Sequence, residues 1–282
     1  MNYIVLGHTG LIGSSIFARL TDHNSQVLGL NSSVVTFNES HNLEIQRRKS
    51  SDTFKQIKDF ITKETIIINC IWGDLSNKNS NSELHEVNTS LELNLIDNLS
   101  LMQFKSYVSF GTIYEETISE NIVSISSKYV EGKKLINAHL EKSNIPYSWI
   151  RVATVFGPND LKSRIISQLL KDKANNIDTQ LLYPNHLMNI YHVDKFVDAL
   201  IKFISDPIPG SFLAISSSWV ELKEVKRALQ IMEEPHYISK LPKLEKLNSD
   251  QVISIESSSF IGFAKEFNNI TSLATHGHLP KD

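Results

Sequence analysis

The chain has 282 residues, 41% of them hydrophobic and 21% charged, ordinary values for a globular protein long enough to bury a large core. A net charge of -3 and a pI near 6.4 offer nothing that would draw nucleic acid or an anionic membrane. The single cysteine, Cys70, excludes an internal disulfide framework and fits a reducing compartment.

No segment is apolar over enough residues to span a bilayer. The start "MNYIVLGHTG" lacks the basic residues, long apolar stretch and cleavage site of a signal peptide, so a cytoplasmic protein is expected. In chain order, "YIVLG" reads as a short strand, "GLIGSSIFARL" as a helix and "QVLGL" as a second strand. After a helix over about 51–62 comes "TIIINCIW", a nearly continuous apolar run of the kind covered on both faces in a parallel sheet. Cys70 lies inside it and reads as a core residue. A helix over about 83–101, a strand "SYVSF", a helix over about 126–142 and a strand "YSWIRVATVF" follow. Strands alternating with helices argue a doubly wound α/β fold.

The character changes after "FGPND" (156–160). A helix in "SRIISQLLK", short strands near "QLLYP" and "NIYHV", a helix from Lys195 to Ile204 with Asp194 as N-cap, and a helix in "WVELKEVKRALQIM" are expected. "EEPHYISKLPKLEKL" reads mostly as loop. This places one domain over 1–157 and a smaller lobe mainly over 158–282, with elements free to interleave near the boundary.

"GHTGLIG" sets Gly7, Gly10 and Gly13 directly after the first strand and at the head of the first helix. Glycines there permit a tight turn and a close approach of a pyrophosphate to a helix N-terminus, whose unpaired N–H groups favour anions. A Y-x-x-x-K spacing occurs twice, as Tyr129/Lys133, on one face of the helix expected over about 126–142, and as Tyr191/Lys195. Spacing alone does not choose between them. The "THGHL" cluster (275–279) has no matching carboxylate or cysteine set, so no metal site is expected.

The G-x-x-G-x-x-G spacing resembles the short-chain dehydrogenase/reductases, in particular the extended branch that holds the NAD-dependent epimerase/dehydratase family. Other segments follow in the family's order over most of the chain, to about residue 230. "NCIW" resembles the strand end that packs beside the cofactor, with Cys70, Ile71 and Trp72, and "HEVN" resembles the helix that carries a structural Asn, here Asn88. "YVSFGT" resembles the strand that ends in a catalytic hydroxyl, and "YVEGK" matches the Y-x-x-x-K element. "RVATVFGP" and "IYHVDKFVDAL" resemble the segments leading into the second lobe.

The resemblance implies a Rossmann-type doubly wound parallel sheet with a smaller C-terminal substrate lobe, and a nicotinamide cofactor. That cofactor would be held by Gly7, Thr9, Gly10, Leu11, Ile12, Gly13, Asn31, Cys70, Ile71, Trp72, Asn88, Tyr129, Lys133, Val152 and Thr154. It also implies that Tyr129 is a general acid/base and that Lys133 lowers its pKa and holds the nicotinamide ribose. Tyr191 and Lys195, running from a strand end into a helix, are then the structural pair.

The hydroxyl partner is Thr112 if "YVSFGTIYEE" is aligned without a gap on the version with a downstream Glu; the alignment anchored on Tyr114 puts Phe110 at that position and leaves Ser109 one residue away, and Thr112 is preferred. The chain departs from the family where Asn31 stands at the position of a ribose-binding acid. That leaves NAD or NADP open with a tilt to NADP, since no carboxylate would repel a 2′-phosphate. Thr154 replaces an Asn, and the Arg that grips a diphosphate is missing before "IYHVD"; Lys162, Arg164 or His192 could substitute.

The implied activity is reduction or epimerisation of a keto-deoxy sugar nucleotide in a homodimer paired through the helices near 83 and 126. A dehydratase is disfavoured because "GTIYEE" has no Thr-Asp-Glu run. The rival readings are a dinucleotide-binding regulator without turnover and a reductase of a non-nucleotide carbonyl.

Overall fold

The computed structural model describes residues 1–23, 25–31, 34–39, 42–47, 53–72, 83–115, 127–157, 164–231 and 252–256. Its frame is a nine-stranded sheet in the order β12-β10-β7-β6-β5-β1-β2-β3-β4. The strands are β1 (Asn2–Leu6), β2 (Gln26–Leu30), β3 (Val34–Glu39), β4 (Asn42–Arg47), β5 (Thr65–Asn69), β6 (Ser106–Thr112), β7 (Tyr147–Val152), β10 (Gly210–Ser216) and β12 (Val252–Ile255). Seven of them run parallel from β12 to β2, and β3 and β4 close one edge as an antiparallel hairpin.

The doubly wound arrangement follows from side chains that alternate along fully buried strands. On β5, Ile66 and Ile68 join Val5, Ile16, Phe110 and Phe196 under α1 (Leu11–Asp22) and α6 (Val193–Ile204). Ile67 points the other way, joining Ile4, Ile57, Ile96, Ile136 and Trp149 under α2 (Thr53–Phe60), α3 (Leu84–Leu99) and α4 (Ser127–Lys142). A second core of Phe156, Ile166, Leu170, Met188, Val220 and Val225 unites the smaller lobe. That lobe consists of β8 (Thr154–Phe156), β9 (Leu187–His192), β11 (Trp219–Glu221), α5 (Ile165–Ala174) and α7 (Leu222–Ile231). The Rossmann-type architecture expected from the sequence is present. The strands β10 and β12 and the helix α6, all beyond residue 157, return to the main sheet.

Several local expectations are corrected. "YSWIRVATVF" is two strands, because β7 stays in the main sheet while β8 leaves it to pair with β9. The amide freed at the break, Ala153 N–H, donates to the Tyr191 hydroxyl at 3.0 Å, and that hydroxyl donates to the Ala214 carbonyl at 3.0 Å.

"QLLYP" has no strand. "WVE" is β11, paired antiparallel with β9, and the helix starts only at Leu222. Asp194 is not the N-cap of α6: the extended backbone of His192 fills that place, and its ring accepts the Asp194 N–H. "SFLAIS" and "VISI" form β10 and β12, which the sequence reading missed along with the β3–β4 hairpin. The stretch "EEPHYISKLPKLEKL" and the 275–279 histidines lie outside the described residues.

Candidate active site

Residue 7 ends the first strand with φ +79°, and a Cβ there would stand 3.0 Å from the Cys70 carbonyl carbon, so glycine is required on both counts. At residue 13 a Cβ would run into the Gly7 carbonyl oxygen, so the helix could not fold this tightly against the loop. Gly10 is the N-cap of α1, which has no side-chain cap and no acidic residue in its first turn. Positive partial charge therefore gathers at Leu11, Ile12 and Gly13, the first residues of the helix. This cradle fits the diphosphate of a dinucleotide. Asn31, just after β2, donates from Nδ2 to the Thr9 hydroxyl at 2.8 Å, tying this strand end to the glycine loop.

Across the sheet switch, the ends of β5 and β6 meet α3 and α4. Asn69 closes β5 by accepting the Ile71 N–H at 3.1 Å, which turns the chain so that Ile71 is exposed and Trp72 covers α4. The Trp72 indole donates to His85 Nδ1 at 3.3 Å, meets the Tyr129 ring edge-on at 5.4 Å, and lies 3.8 Å below the Lys133 ammonium. Cys70 sits beside this group, and burial pushes its thiol up, away from nucleophilic use.

Lys133 is 4% exposed and lies 3.8 Å from Glu92 Oε2 on α3. Burial lowers its pKa; Glu92, Glu115 and Cys70 oppose that.

The Tyr129 phenol is raised by burial and by the Glu115 carboxylate; Arg164 and the Thr112 hydroxyl, which lies in hydrogen-bonding reach, pull the other way. Glu115, on the turn Ile113–Glu115 after β6, is anchored by three donors: Thr112 N–H at 2.6 Å, Trp149 Nε1 at 3.0 Å and Arg151 Nε at 3.3 Å. Arg164, the N-cap of α5, brings a positive charge of the smaller lobe toward Tyr129.

Thr112 and Tyr129 therefore come together, Lys133 lies one helical turn on against the same Trp72 indole, and Ser109 does not join them. The two-residue period of β6 turns Ser109 to the same face as Tyr107, where its hydroxyl donates to Glu92 Oε1 at 2.5 Å. Asn88 is half-buried on α3, and Val152 and Thr154 flank the β7–β8 break; the Thr154 hydroxyl bonds Tyr114.

The second Tyr/Lys pair is bound elsewhere. Tyr191 is fully buried at the strand break, and Lys195 pairs with Glu256 at 2.9 Å on the surface. His192 pairs with Asp194 at 3.4 Å, while Lys162 and the connection 116–126 lie outside the described residues. Among the described residues no group of His, Cys, Asp or Glu could hold a metal ion, and no helix is long and apolar enough to cross a membrane.

Sequence reading missed Glu92, Tyr107, His85 and Arg151. Glu92 alone left a signal, as a carboxylate on the inward stripe of α3.

The family model "NAD dependent epimerase/dehydratase family" matches residues 3–212. No curated protein matches the chain. Among solved structures, the chain is similar in fold to TunA, an NAD-dependent NDP-hexosamine 5,6-dehydratase involved in tunicamycin biosynthesis. That likeness has 11% identity, a TM-score of 0.69, and coverage of 97% of this chain and 98% of that one. A UDP-glucuronic acid 4-epimerase mutant from Bacillus cereus, bound to a fluorinated substrate analogue and NAD, is 13% identical with a TM-score of 0.69, covering 97% and 100%. The UDP-glucose 4-epimerase of Thermus thermophilus with NAD is 14% identical with a TM-score of 0.65, covering 100% and 94%. With the model spanning most of its length and the fold agreeing throughout, the chain belongs to the NAD-dependent epimerase/dehydratase family.

Proposed function

We propose that this protein is an NAD(P)-dependent oxidoreductase that reduces or epimerises a keto-deoxy sugar carried on a nucleoside diphosphate. The observation that carries the reading is the convergence of the Thr112 hydroxyl and the Tyr129 phenol beside the buried Lys133, across the sheet from the glycine cradle. Two hydroxyl donors at one point suit a carbonyl oxygen that gains negative charge, and a phenol on a helix face beside a fixed cation suits proton exchange with it.

In reduction, Tyr129 gives its proton to the sugar oxygen while Thr112 shares the developing charge. In the reverse direction Tyr129 takes the proton back. Lys133 holds the nicotinamide ribose and supplies positive charge. The nicotinamide, when bound, exchanges the hydride with the sugar carbon. Burial raises the phenol in the isolated protein, so the proton stays on Tyr129 until positive charge is added.

The family membership and the nucleotide-sugar enzymes among the fold relatives support the substrate class. Arg164 is the group we assign to the substrate's negative charge. Asn31 stands where the family's acidic residue would repel a 2′-phosphate, which favours acceptance of NADP along with NAD. Leu84, Val87 and Leu91 form an exposed apolar stripe on α3, and Leu135 is exposed on α4, which favours pairing of these helices in a homodimer.

The test is a cofactor-oxidation screen with NADH and NADPH against keto-deoxy sugars on UDP, dTDP, CDP and GDP. Oxidation confined to one nucleotide series supports the reading. Oxidation with simple carbonyls only points to a non-nucleotide reductase, and no oxidation with any carbonyl, even in a single turnover with excess enzyme, to a binder without turnover.

A further inference from the structure

The inward stripe of α3 reads His85, Thr89, Glu92, Ile96 and Leu99, the spacing of a helix packed on a sheet. Glu92 occupies a place where an apolar residue is the ordinary choice, and it is 4% exposed. Its two oxygens have different surroundings. Oε1 accepts the Ser109 hydroxyl at 2.5 Å and the Tyr107 hydroxyl at 3.0 Å. The Tyr107 oxygen in turn accepts from Asn69 Nδ2 at 3.0 Å, so the carboxylate is braced through to the turn that carries Trp72. Oε2 is buried with no hydrogen-bond partner among the described residues, and the Lys133 ammonium stands 3.8 Å from it.

This asymmetry decides what Glu92 is for. An amide oxygen could accept from Ser109 and Tyr107 as well as a carboxylate does, so those bonds do not call for a charge. The second oxygen does, because an amide would turn an N–H group toward a buried ammonium. We propose that Glu92 is a positioning residue: its carboxylate is the counter-ion that keeps Lys133 charged over Trp72, and Ser109, Tyr107 and Asn69 hold that carboxylate in place. Ser109 thereby has a task one step behind the reacting atoms. The inference rests on the reading above, in which the Lys133 charge serves Tyr129.

The other groups that face Lys133 are Cys70 from the end of β5, Glu115 from the turn after β6, and Trp149 from β7 at 5.5 Å. Glu115 already has Arg151 as its partner. Cys70 carries no charge while burial keeps its thiol protonated. Burial works against the Lys133 charge, and Glu92 is the largest influence that restores it.

The experiment is an NMR titration of the lysine ε-carbons in the full chain, with Lys133→Met identifying the Lys133 signal. Alongside it runs the pH profile of single-turnover cofactor oxidation. In Glu92→Gln the Lys133 midpoint should fall by about one pH unit or more, and the alkaline limb of the rate should fall with it. In Glu92→Asp, which keeps the charge, both should stay nearer the wild type. Glu92→Met, which suits the apolar stripe, carries the same expectation as Gln should the amide variant not fold.

A Lys133 midpoint unchanged in Gln or Met, or displaced as far in Asp as in Gln, would overturn the proposal. The NMR arm does not depend on turnover. If Lys133→Met kept the wild-type rate, the catalytic reading would fail while the titration still judged Glu92.

Discussion

The Lys133 ammonium lies 3.8 Å from the centroid of the Trp72 indole, and the same indole meets Tyr129 edge-on at 5.4 Å. One side chain from the end of β5 thus covers both members of the Tyr/Lys pair on α4. A desolvated cation–π contact is worth about 2 kcal/mol, and Trp72→Ala also removes packing under Tyr129 and His85. It should destabilise the protein by about 2 kcal/mol or more in denaturant melts and lower single-turnover rates at least about tenfold. Trp72→Phe should keep most of both. Full activity in the Ala variant would mean that the indole only fills space.

Thr112 and Ser109 provide the second comparison. Thr112 reaches the Tyr129 phenol, while Ser109 is turned to Glu92 by the strand period. Thr112→Val should lower the rate by about 10², the usual scale for losing one donor to a developing oxyanion. Ser109→Ala acts only through Glu92 and should cost less than about tenfold. The reverse ranking in kcat measurements would exchange the two assignments.

Much of this was legible in the residues. The glycine spacing after "YIVLG", the apolar run "TIIIN" and the Y-x-x-x-K element each carry their structural reason locally, as a tight turn, a doubly covered strand and one helical face. The strands "SFLAIS" and "VISI" were missed because their place is set by long-range pairing: β10 lies on β7 and β12 on β10, far along the chain. Asp194 was misread as a cap because His192, a less usual capping residue, takes that place with a ring nitrogen. Glu92 could have been found from a charge on a buried helical stripe, but its partners Ser109 and Lys133 come from elements no local pattern brings together.

Tyr191→Phe separates the second Tyr/Lys pair from the first. Its hydroxyl serves both the Ala153 N–H and the Ala214 carbonyl where β8 leaves the main sheet. Removing it should cost about 1–3 kcal/mol of stability by leaving buried backbone groups unpaired. The rate at a temperature where the variant is folded should be nearly unchanged. A rate loss without a stability loss would contradict the structural assignment.

The exposed stripe of α3 predicts the effect of a charge at its centre. Leu91 is 60% exposed beside Val87 and opposite no described element that covers it. Leu91→Glu should shift a dimer to monomer in sedimentation at micromolar concentration, with the fold intact by circular dichroism. A wild-type monomer, or a variant that still dimerises, would move the contact elsewhere.

The central claim is that Tyr129 exchanges the proton that accompanies hydride transfer. The most direct measurement is a single-turnover experiment in which reduced cofactor and a keto-deoxy nucleotide sugar are mixed with excess enzyme and the nicotinamide absorbance is followed. A single turnover reports reduction whether the steady-state reaction is a net reduction or an epimerisation. The wild type should oxidise the cofactor, and Tyr129→Phe should be slower by at least about 10² with cofactor affinity within about twofold. A Phe variant that oxidises the cofactor at the wild-type rate would contradict the account.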